Sequence, residues 1–267
     1  MVIEPATRSA ILRAAKALAR GELAAFPTET VYGLGADATN AQAVADIYEM
    51  KGRPRFNPLI VHVADIEAAE NHAKFTPQAR KLASHFWPGP LTLVLRKRSD
   101  SAICDLVSAG LETIALRVPE NDTARGLLHA AGCPVAAPSA NRAGHVSPTR
   151  AAHVADDLGD GPAIILDGGD AALGLESTVI DLSGPEPLLL RPGAIPREEI
   201  ENILKVRLGD TPPPDRPASP GQLASHYAPR ARLRLEATSV EPGEALLAFG
   251  GNPPATQGAV VNLSPSG

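Results

Sequence analysis

The spacing of apolar residues predicts a helix near the start of the chain, from Thr7 to Arg20. Five apolar side chains recur there at helical intervals: Ile11, Leu12, Ala15, Leu18 and Ala19. Gly21 ends the pattern, and the chain continues directly into an apolar strand. The segment is basic and rich in alanine, as a targeting peptide would be, but its continuation into a strand indicates the first helix of a domain.

Short apolar runs and helical repeats alternate along most of the remaining chain. Strands are predicted at 23–26, 59–63, 91–95, 113–118, 135–137, 163–166, 178–182 and 187–190. Helices are predicted at 41–50, 76–86, 122–131, 149–158 and 196–204. Strands that alternate with helices, with adjacent strand pairs in the second half, predict an α/β domain built on a twisted, mixed sheet.

A proline-rich segment separates this domain from the C-terminal residues. Residues 209–221 read GDTPPPDRPASPG, a composition typical of a semi-extended linker. Runs at 233–235, 245–249 and 259–263 predict the opening strands of a second α/β unit. The 37 residues of 231–267 are too few for an independently stable domain, so we expect a fragment or a tail that packs on the first domain. The predicted division is 1–208, 209–230 and 231–267.

Amino-acid composition and net charge limit the kinds of ligand that the protein is expected to bind. The 267 residues are 44% hydrophobic and 21% charged, which is typical of a globular protein. Aromatic residues make up 3%, too few for reading single-stranded nucleic acid mainly by stacking. A net charge of −5 means that a polyanion would have to bind to locally gathered cations.

Cysteine spacing and hydropathy indicate the cellular compartment in which the protein is expected to reside. Cys104 and Cys133 lie far apart and lack metal-ligand spacing, which predicts reduced, buried thiols of a cytosolic protein. No apolar run approaches the roughly 18 residues needed to span a bilayer.

Polar segments bounded by glycine and proline fall at the ends of the predicted strands. The sequence has no P-loop, and Gly33-Leu34-Gly35 lacks the third glycine of a dinucleotide fingerprint. The first segment, PTETVYGLG at 27–35, fits a turn with capping threonines and a ligand loop equally well. The second, KGRPRFNPL at 51–59, gathers three cations within five residues, which favours phosphate binding over a solvated helix end.

The other segments add groups that can bind anions. Arg117 lies on an apolar strand, where a buried guanidinium needs a carboxylate or phosphate partner. His62 also lies in an apolar strand, a position that by itself is more typical of a core histidine. Further polar groups are Ser139, Asn141 and Ser147, the run from Glu176 to Thr178, and the run from Arg191 to Gly193. Six such segments on one sheet predict a site for a polyanionic ligand.

The order of these motifs resembles the YrdC-like threonylcarbamoyl-AMP synthases, and more closely their longer type with a linker and a Rossmann-like second domain. The shared motifs are PTETVYGLG, KGRPRFNPL, FWPGPLT, ALRVP, PSAN, EST, RPG and SPGQLASHYAP, which together cover residues 8–230. The resemblance implies a YrdC-like twisted mixed sheet with flanking helices, then the linker and an incomplete second α/β unit.

The resemblance also implies an activity. Members of this family are nucleotidyltransferases that condense L-threonine, bicarbonate and ATP into threonylcarbamoyl-adenylate and pyrophosphate, for threonylcarbamoyladenosine modification of tRNA. Carried over residue by residue, it assigns L-threonine to Thr30, His62, Arg117, Ala137 and Ser177. It assigns ATP to Arg53, Asn57, Thr113, Ser139, Asn141, Ser147, Arg191 and Tyr227.

Two of the carried-over roles have a direct physical reason. Lys51 and Arg53 are the predicted catalytic cations, because charge held by a rigid turn stabilises a departing pyrophosphate. Arg117 is expected to pair bidentately with the threonine carboxylate.

Cofactor and partners follow from the same resemblance. Mg²⁺ is expected to accompany ATP without an assigned protein ligand. The expected partners are proteins that transfer the threonylcarbamoyl group. A weak contact with tRNA or double-stranded RNA is compatible with the local cations. The expected location is the cytoplasm, without membrane contact. Two alternatives remain open: a carbamoyl-adenylate-forming domain, and a double-stranded RNA-binding or ribosome-assembly module.

Overall fold

A computed structural model describes residues 2–210, 227–228 and 231–266. The helices are α1 (Arg8–Ala19), α2 (Ala41–Lys51), α3 (Ile66–Glu70), α4 (Pro77–Phe86), α5 (Asp122–Ala131), α6 (Ala151–Leu158) and α7 (Arg197–Leu204). The first strands are β1 (Val2–Pro5), β2 (Ala24–Pro27), β3 (Tyr32–Asp37), β4 (Ile60–His62), β5 (Leu91–Arg96), β6 (Thr113–Arg117) and β7 (Val135–Ala136). They are followed by β8 (Ile164–Asp167), β9 (Thr178–Asp181), β10 (Leu188–Arg191), β11 (Gly209–Asp210), β12 (Leu246–Ala248) and β13 (Val260–Asn262).

Eleven of these strands form one mixed sheet, in the order β1-β8-β2-β3-β7-β4-β6-β5-β9-β10-β11. Near its centre, β4 and β6 run parallel, while β7 pairs with β4 in the antiparallel direction. Because β4 and β6 are parallel and in register, His62 lies directly opposite Arg117 at their carboxyl ends. The predicted α/β domain with a mixed sheet and flanking helices is confirmed.

Local capping signals explain where several helices begin and end. The side chains of Thr7 and Thr76 accept hydrogen bonds from the first turns of α1 and α4, at the residues where these two predicted helices begin. The Asn40 side chain does the same for α2, which ends at Gly52 in the left-handed conformation with φ of 59°. These ends place Lys51 and Arg53 at the entrance of the turn that follows α2.

Of the three buried apolar clusters among the described residues, two hold the helices on the sheet. In the smaller core, α1 and α5 pack against each other and against β2, with Leu18, Phe26 and Leu127 fully buried. Each such side chain contributes roughly 1.5–3 kcal/mol when it is removed from water. The larger core lies under α2, α4 and α7 and includes Tyr32, Ile47 and Leu82.

The prediction missed β3, because Gly33 and Gly35 suggested a loop. The structure shows a hairpin, in which β2 and β3 pair in the antiparallel direction around a turn at 28–31. A Cβ at position 35 would lie 2.8 Å from the Phe26 ring, so glycine allows the ring to pack across the strand. The short elements β1, α3 and β11 were also not predicted.

The C-terminal residues and the cysteines differ from expectation. The predicted strand at 233–235 is wrong, since these residues form no strand, whereas β12 and β13 fall within the other two predicted runs and pair in parallel. Both cysteines are free, as expected, but they are half-buried rather than buried. Burial and the nearby Asp37 raise the pKa of Cys133 to about 12.

The chain divides by its contacts into 1–228 and 229–267. The predicted boundaries at 208 and 230 stay predictions, because most of the linker lies outside the described residues. Within the described ranges, every helix is too short or too polar to cross a membrane.

Candidate active site

A cleft opens where the β2–β3 turn, the ends of β4, β6 and β10, and the segment after β7 meet. All five residues assigned to L-threonine line it: Thr30, His62, Arg117, Ala137 and Ser177. Three of the residues assigned to ATP line the same cleft: Arg53, Ser139 and Arg191. The tertiary structure therefore brings residues from 30 to 191 together, and it adds Glu176, which was not assigned a role.

Arg117 is held by three partners inside the cleft. Its guanidinium forms a buried ion pair with Glu29, and Nη1 donates to Thr30 Oγ1 at 3.0 Å. Nε donates to the carbonyl of Gly89 at 3.3 Å. Among residues 2–210, 227–228 and 231–266, the other two N–H groups of the side chain have no hydrogen-bond partner.

Glu29 thus supplies the carboxylate that a buried Arg117 requires. Its second oxygen accepts from the backbone N–H groups of Glu120 and Asn121, at 3.1 and 3.4 Å. The expected carboxylate partner is thus present in the protein itself, and pairing of Arg117 with the threonine carboxylate stays a prediction. Sequence reasoning missed Glu29, although it stands in the segment PTET that was singled out as a turn or ligand loop.

Thr28 and Thr30 order the turn beside this ion pair. The Thr28 hydroxyl donates to the carbonyl of Val31 at 2.7 Å, and it lies 2.7 Å from the Thr30 hydroxyl. Since Thr28 Oγ1 uses its hydrogen on Val31, Thr30 donates to Thr28 and accepts from Arg117. The threonines therefore cap the turn, as one interpretation predicted; they also line the cleft, and the ligand-loop interpretation stays a prediction.

His62 is a neutral group in the cleft wall. Burial, followed by the charge of Arg117, lowers the pKa of His62 to about 3. Within the described part of the chain, Nδ1 of His62 is buried without a hydrogen-bond partner. An uncharged ring beside a guanidinium can accept or donate a hydrogen bond without repelling the cation.

Lys51 holds the loop that carries Ser139 and Asn141. Its Nζ donates to the carbonyl of Ser139 at 2.6 Å and to the carbonyl of Asn141. Lys51 is buried, and burial followed by the charge of Arg53 lowers the pKa of Lys51 to about 7. The ammonium thus supports the loop from behind, and Lys51 is not among the residues that line the cleft.

Arg53 reaches the cleft from the turn after α2. Its Nε donates to the carbonyl of Asn57 at 3.1 Å, and Nη2 donates to the carbonyl of Pro58 at 2.8 Å. Burial lowers the pKa of Arg53 to about 10, so it remains a cation at neutral pH. These two hydrogen bonds hold one edge of the guanidinium and set its orientation before any ligand binds.

Arg191, at the end of β10, holds the two residues that precede β9. It donates to the Ser177 carbonyl from Nε at 3.1 Å and from Nη2 at 2.8 Å, and Nη2 also lies 3.0 Å from the Ser177 hydroxyl. Nη1 forms an ion pair with Glu176. Glu176 also accepts from the hydroxyls of Ser147 and Tyr227, at 2.6 and 2.9 Å.

Not every assigned residue lines the cleft. Thr113 begins β6, four residues before Arg117, and pairs with Arg96 on β5. Asn57 is fully buried, and both polar atoms of its side chain lack a partner within the described residues. Asn141 donates from Nδ2 to the carbonyls of Arg142 and His145, at 2.9 and 3.0 Å. Its contribution here is to shape the loop.

Gly193 lets the RPG segment approach the backbone of residues 176–178. A Cβ there would lie 2.4 Å from the Glu176 carbonyl oxygen and 2.4 Å from the Thr178 nitrogen. Gly193→Ala is therefore expected to destabilise the fold by about 1–3 kcal/mol, measured by thermal unfolding. Gly184→Ala is the matched control, because its Cβ would meet nothing within 4 Å. Equal melting temperatures for the two variants would contradict the close approach.

Family models match nearly the whole described chain. Residues 16–193 match the Sua5/YciO/YrdC family model, described as "telomere recombination". Residues 195–262 match a second model, described as the C-terminal domain of threonylcarbamoyl-AMP synthase.

Individual relatives agree with these matches. A threonylcarbamoyl-AMP synthase of Bacillus subtilis is 49% identical over 229 residues, which cover 84% of this chain and 66% of the relative. A putative threonylcarbamoyl-AMP synthase of Mycobacterium tuberculosis is 40% identical over 205 residues, 76% of this chain and 93% of the relative. The chain therefore spans 66% of the length of the B. subtilis relative and nearly all of the M. tuberculosis one.

A solved structure matches in three dimensions as well. The crystal structure of P. abyssi Sua5 complexed with L-threonine is 43% identical and superposes with a TM-score of 0.81, covering 94% of this chain and 71% of that chain. The resemblance read from the motifs is confirmed, and the chain belongs to the Sua5/YciO/YrdC family.

Proposed function

We propose that this chain is a threonylcarbamoyl-AMP synthase, which forms threonylcarbamoyl-AMP, pyrophosphate and water from L-threonine, bicarbonate and ATP. The observation that supports it best is one cleft lined by all five residues assigned to threonine and by three assigned to ATP. In this reaction a carbamate oxygen bonds to the α-phosphorus of ATP, and the bond from that phosphorus to pyrophosphate breaks. This makes the enzyme a nucleotidyltransferase.

The threonine side of the cleft suits an amino acid. The two N–H groups of Arg117 that have no partner among the described residues would bind the threonine carboxylate, while Glu29 keeps the guanidinium in place. Neutral His62 and the Thr30 hydroxyl would contact the polar groups of the substrate. The carboxylate at this end, Glu29, is already paired with Arg117, so the site favours positioning of the substrate over proton abstraction.

The nucleotide side suits phosphates. Arg53 and Arg191 line the cleft as cations, and Ser139 lies on the loop that Lys51 holds. Preoriented cations stabilise the negative charge that develops on departing pyrophosphate. Asn57, Asn141, Ser147, Thr113 and Tyr227 belong to the proposed nucleotide set as well.

Mg²⁺ would enter with ATP as part of the substrate. Within the described residues, no cluster of three or more His, Cys, Asp or Glu side chains could hold a metal. Glu176, which lines the cleft, and Glu29, which lies behind Arg117, are each paired with an arginine. The residues therefore fit a metal bound by the phosphates of the nucleotide rather than a resident metal centre.

Downstream steps complete the proposal. A protein that transfers the threonylcarbamoyl group to tRNA would accept the product, and a weak contact of this chain with tRNA would assist delivery. Such a reaction belongs in the cytoplasm, where tRNA is modified.

Pyrophosphate release that requires both threonine and bicarbonate is the expected result with ATP and Mg²⁺. Omission of either substrate, or replacement of L-threonine by L-alanine, should reduce release to background. Pyrophosphate release that requires carbamoyl phosphate would instead support a carbamoyl-adenylate-forming domain. Salt-sensitive binding of double-stranded RNA without any turnover would support the RNA-binding alternative.

A further inference from the structure

Glu176 is a carboxylate placed among groups that would otherwise bind an oxyanion. Its side chain is only 13% exposed and pairs with Arg191. Its oxygens also accept from the hydroxyls of Ser147 and Tyr227, at 2.6 and 2.9 Å. A guanidinium and two hydroxyls that converge on one carboxylate form the donor set that a phosphate group would use.

The wider surroundings are cationic. Burial lowers the pKa of Lys51, Arg53 and Arg117, and the negative charge of Glu176 opposes that effect at all three. Glu176 is thus a shared counter-charge for this side of the cleft. A phosphate that arrived while Glu176 kept its position would meet a like charge and donors already in use.

We propose that the carboxylate of Glu176 occupies the oxyanion site in the empty protein, where it accepts hydrogen bonds from Ser147, Arg191 and Tyr227. When a phosphate group binds, it replaces the carboxylate and accepts hydrogen bonds from the same donors. This inference rests on the proposed function for the identity of the natural oxyanion, a nucleotide phosphate. It assigns Glu176 as a positioning residue that sets the affinity of the site.

Contacts that do not involve Glu176 determine whether its removal strengthens or weakens phosphate binding. Arg191 keeps three hydrogen bonds to Ser177 when Glu176 leaves, so its guanidinium stays in the cleft. Tyr227 has a positive φ of 56°, and its neighbour Ala228 donates from its backbone N–H to the carbonyl of Gly144 at 2.8 Å. These donor groups therefore stay near the site when the carboxylate is removed, and they can then donate to a bound phosphate.

Glu176→Gln is expected to bind inorganic pyrophosphate about tenfold more tightly than the wild type, measured by calorimetry without threonine or bicarbonate. The amide keeps the shape of the side chain but removes the like charge. Glu186→Gln is the matched control, because Glu186 is exposed and outside the cleft, and it should bind as the wild type does. A gain in affinity is a result that damage to the structure would not produce.

Glu176→Asp gives a second test should the glutamine variant fail to fold. The shorter carboxylate cannot reach all three donors at once, so a smaller gain in pyrophosphate affinity is expected. Unchanged or weaker pyrophosphate binding in the folded variants, or no measurable binding in any of them, would overturn the proposal. Calorimetry involves no turnover, whereas failure of the proposed function would appear as absent pyrophosphate release with threonine, bicarbonate and ATP.

Discussion

Arg117→Ala is expected to abolish threonine binding and to lower the free energy of unfolding by about 3–5 kcal/mol. The substitution removes the guanidinium proposed to bind the substrate carboxylate. It also leaves the carboxylate of Glu29 buried without its ion-pair partner, at 8% exposure. Calorimetric titration with L-threonine and denaturant unfolding measure the two losses separately.

A double variant separates stability from recognition. Arg117→Ala combined with Glu29→Gln removes both charges of the pair, so much of the lost stability should return. Threonine binding should not return, because the guanidinium is still missing. Threonine affinity close to that of the wild type in either variant would contradict the proposed role of Arg117.

Arg53→Ala is expected to slow pyrophosphate release by about a hundred- to a thousandfold, as is typical when one preoriented charge-stabilising group is lost. The carbonyls of Asn57 and Pro58 hold the guanidinium from one side, so its orientation toward the cleft is set before substrate binds. Steady-state release of pyrophosphate at saturating threonine, bicarbonate and ATP is the measurement.

Three further variants sharpen that result. Arg53→Lys should restore only part of the rate, because an ammonium cannot donate to two carbonyls and grip a phosphate in the same geometry. Arg55→Ala removes an exposed cation of the same turn and should leave the rate nearly unchanged. Lys51→Ala should also slow the reaction, since Lys51 holds the carbonyls of Ser139 and Asn141. Near-normal rates in both Arg53→Ala and Lys51→Ala would contradict the proposed phosphate site.

The hairpin of β2 and β3 shows where sequence reasoning stops. Gly33 and Gly35 favour a loop when only neighbours along the chain are considered. The reason for Gly35 lies across the hairpin, where the ring of Phe26 needs the space of a missing Cβ. A local pattern cannot carry this information, because it depends on which strand lies alongside.

The sequence alone determined the features that depend on close neighbours. Helix starts at Thr7, Asn40 and Thr76 follow from side chains that cap the next turn. The alternation of strands and helices indicated the α/β class, and the ordered motifs indicated the family. The residues assigned to threonine were found in the same way, and they do line one cleft.

Only the tertiary structure decided which partners the buried charges have. Arg117 pairs with Glu29, 88 residues away, because parallel β4 and β6 deliver Arg117 to the end of the sheet where the β2–β3 turn lies. Glu176 likewise meets Ser147 and Tyr227, 29 and 51 residues away along the chain. The physical reason is that an ion pair depends on distance and burial, and both are set by strand order and register rather than by sequence spacing.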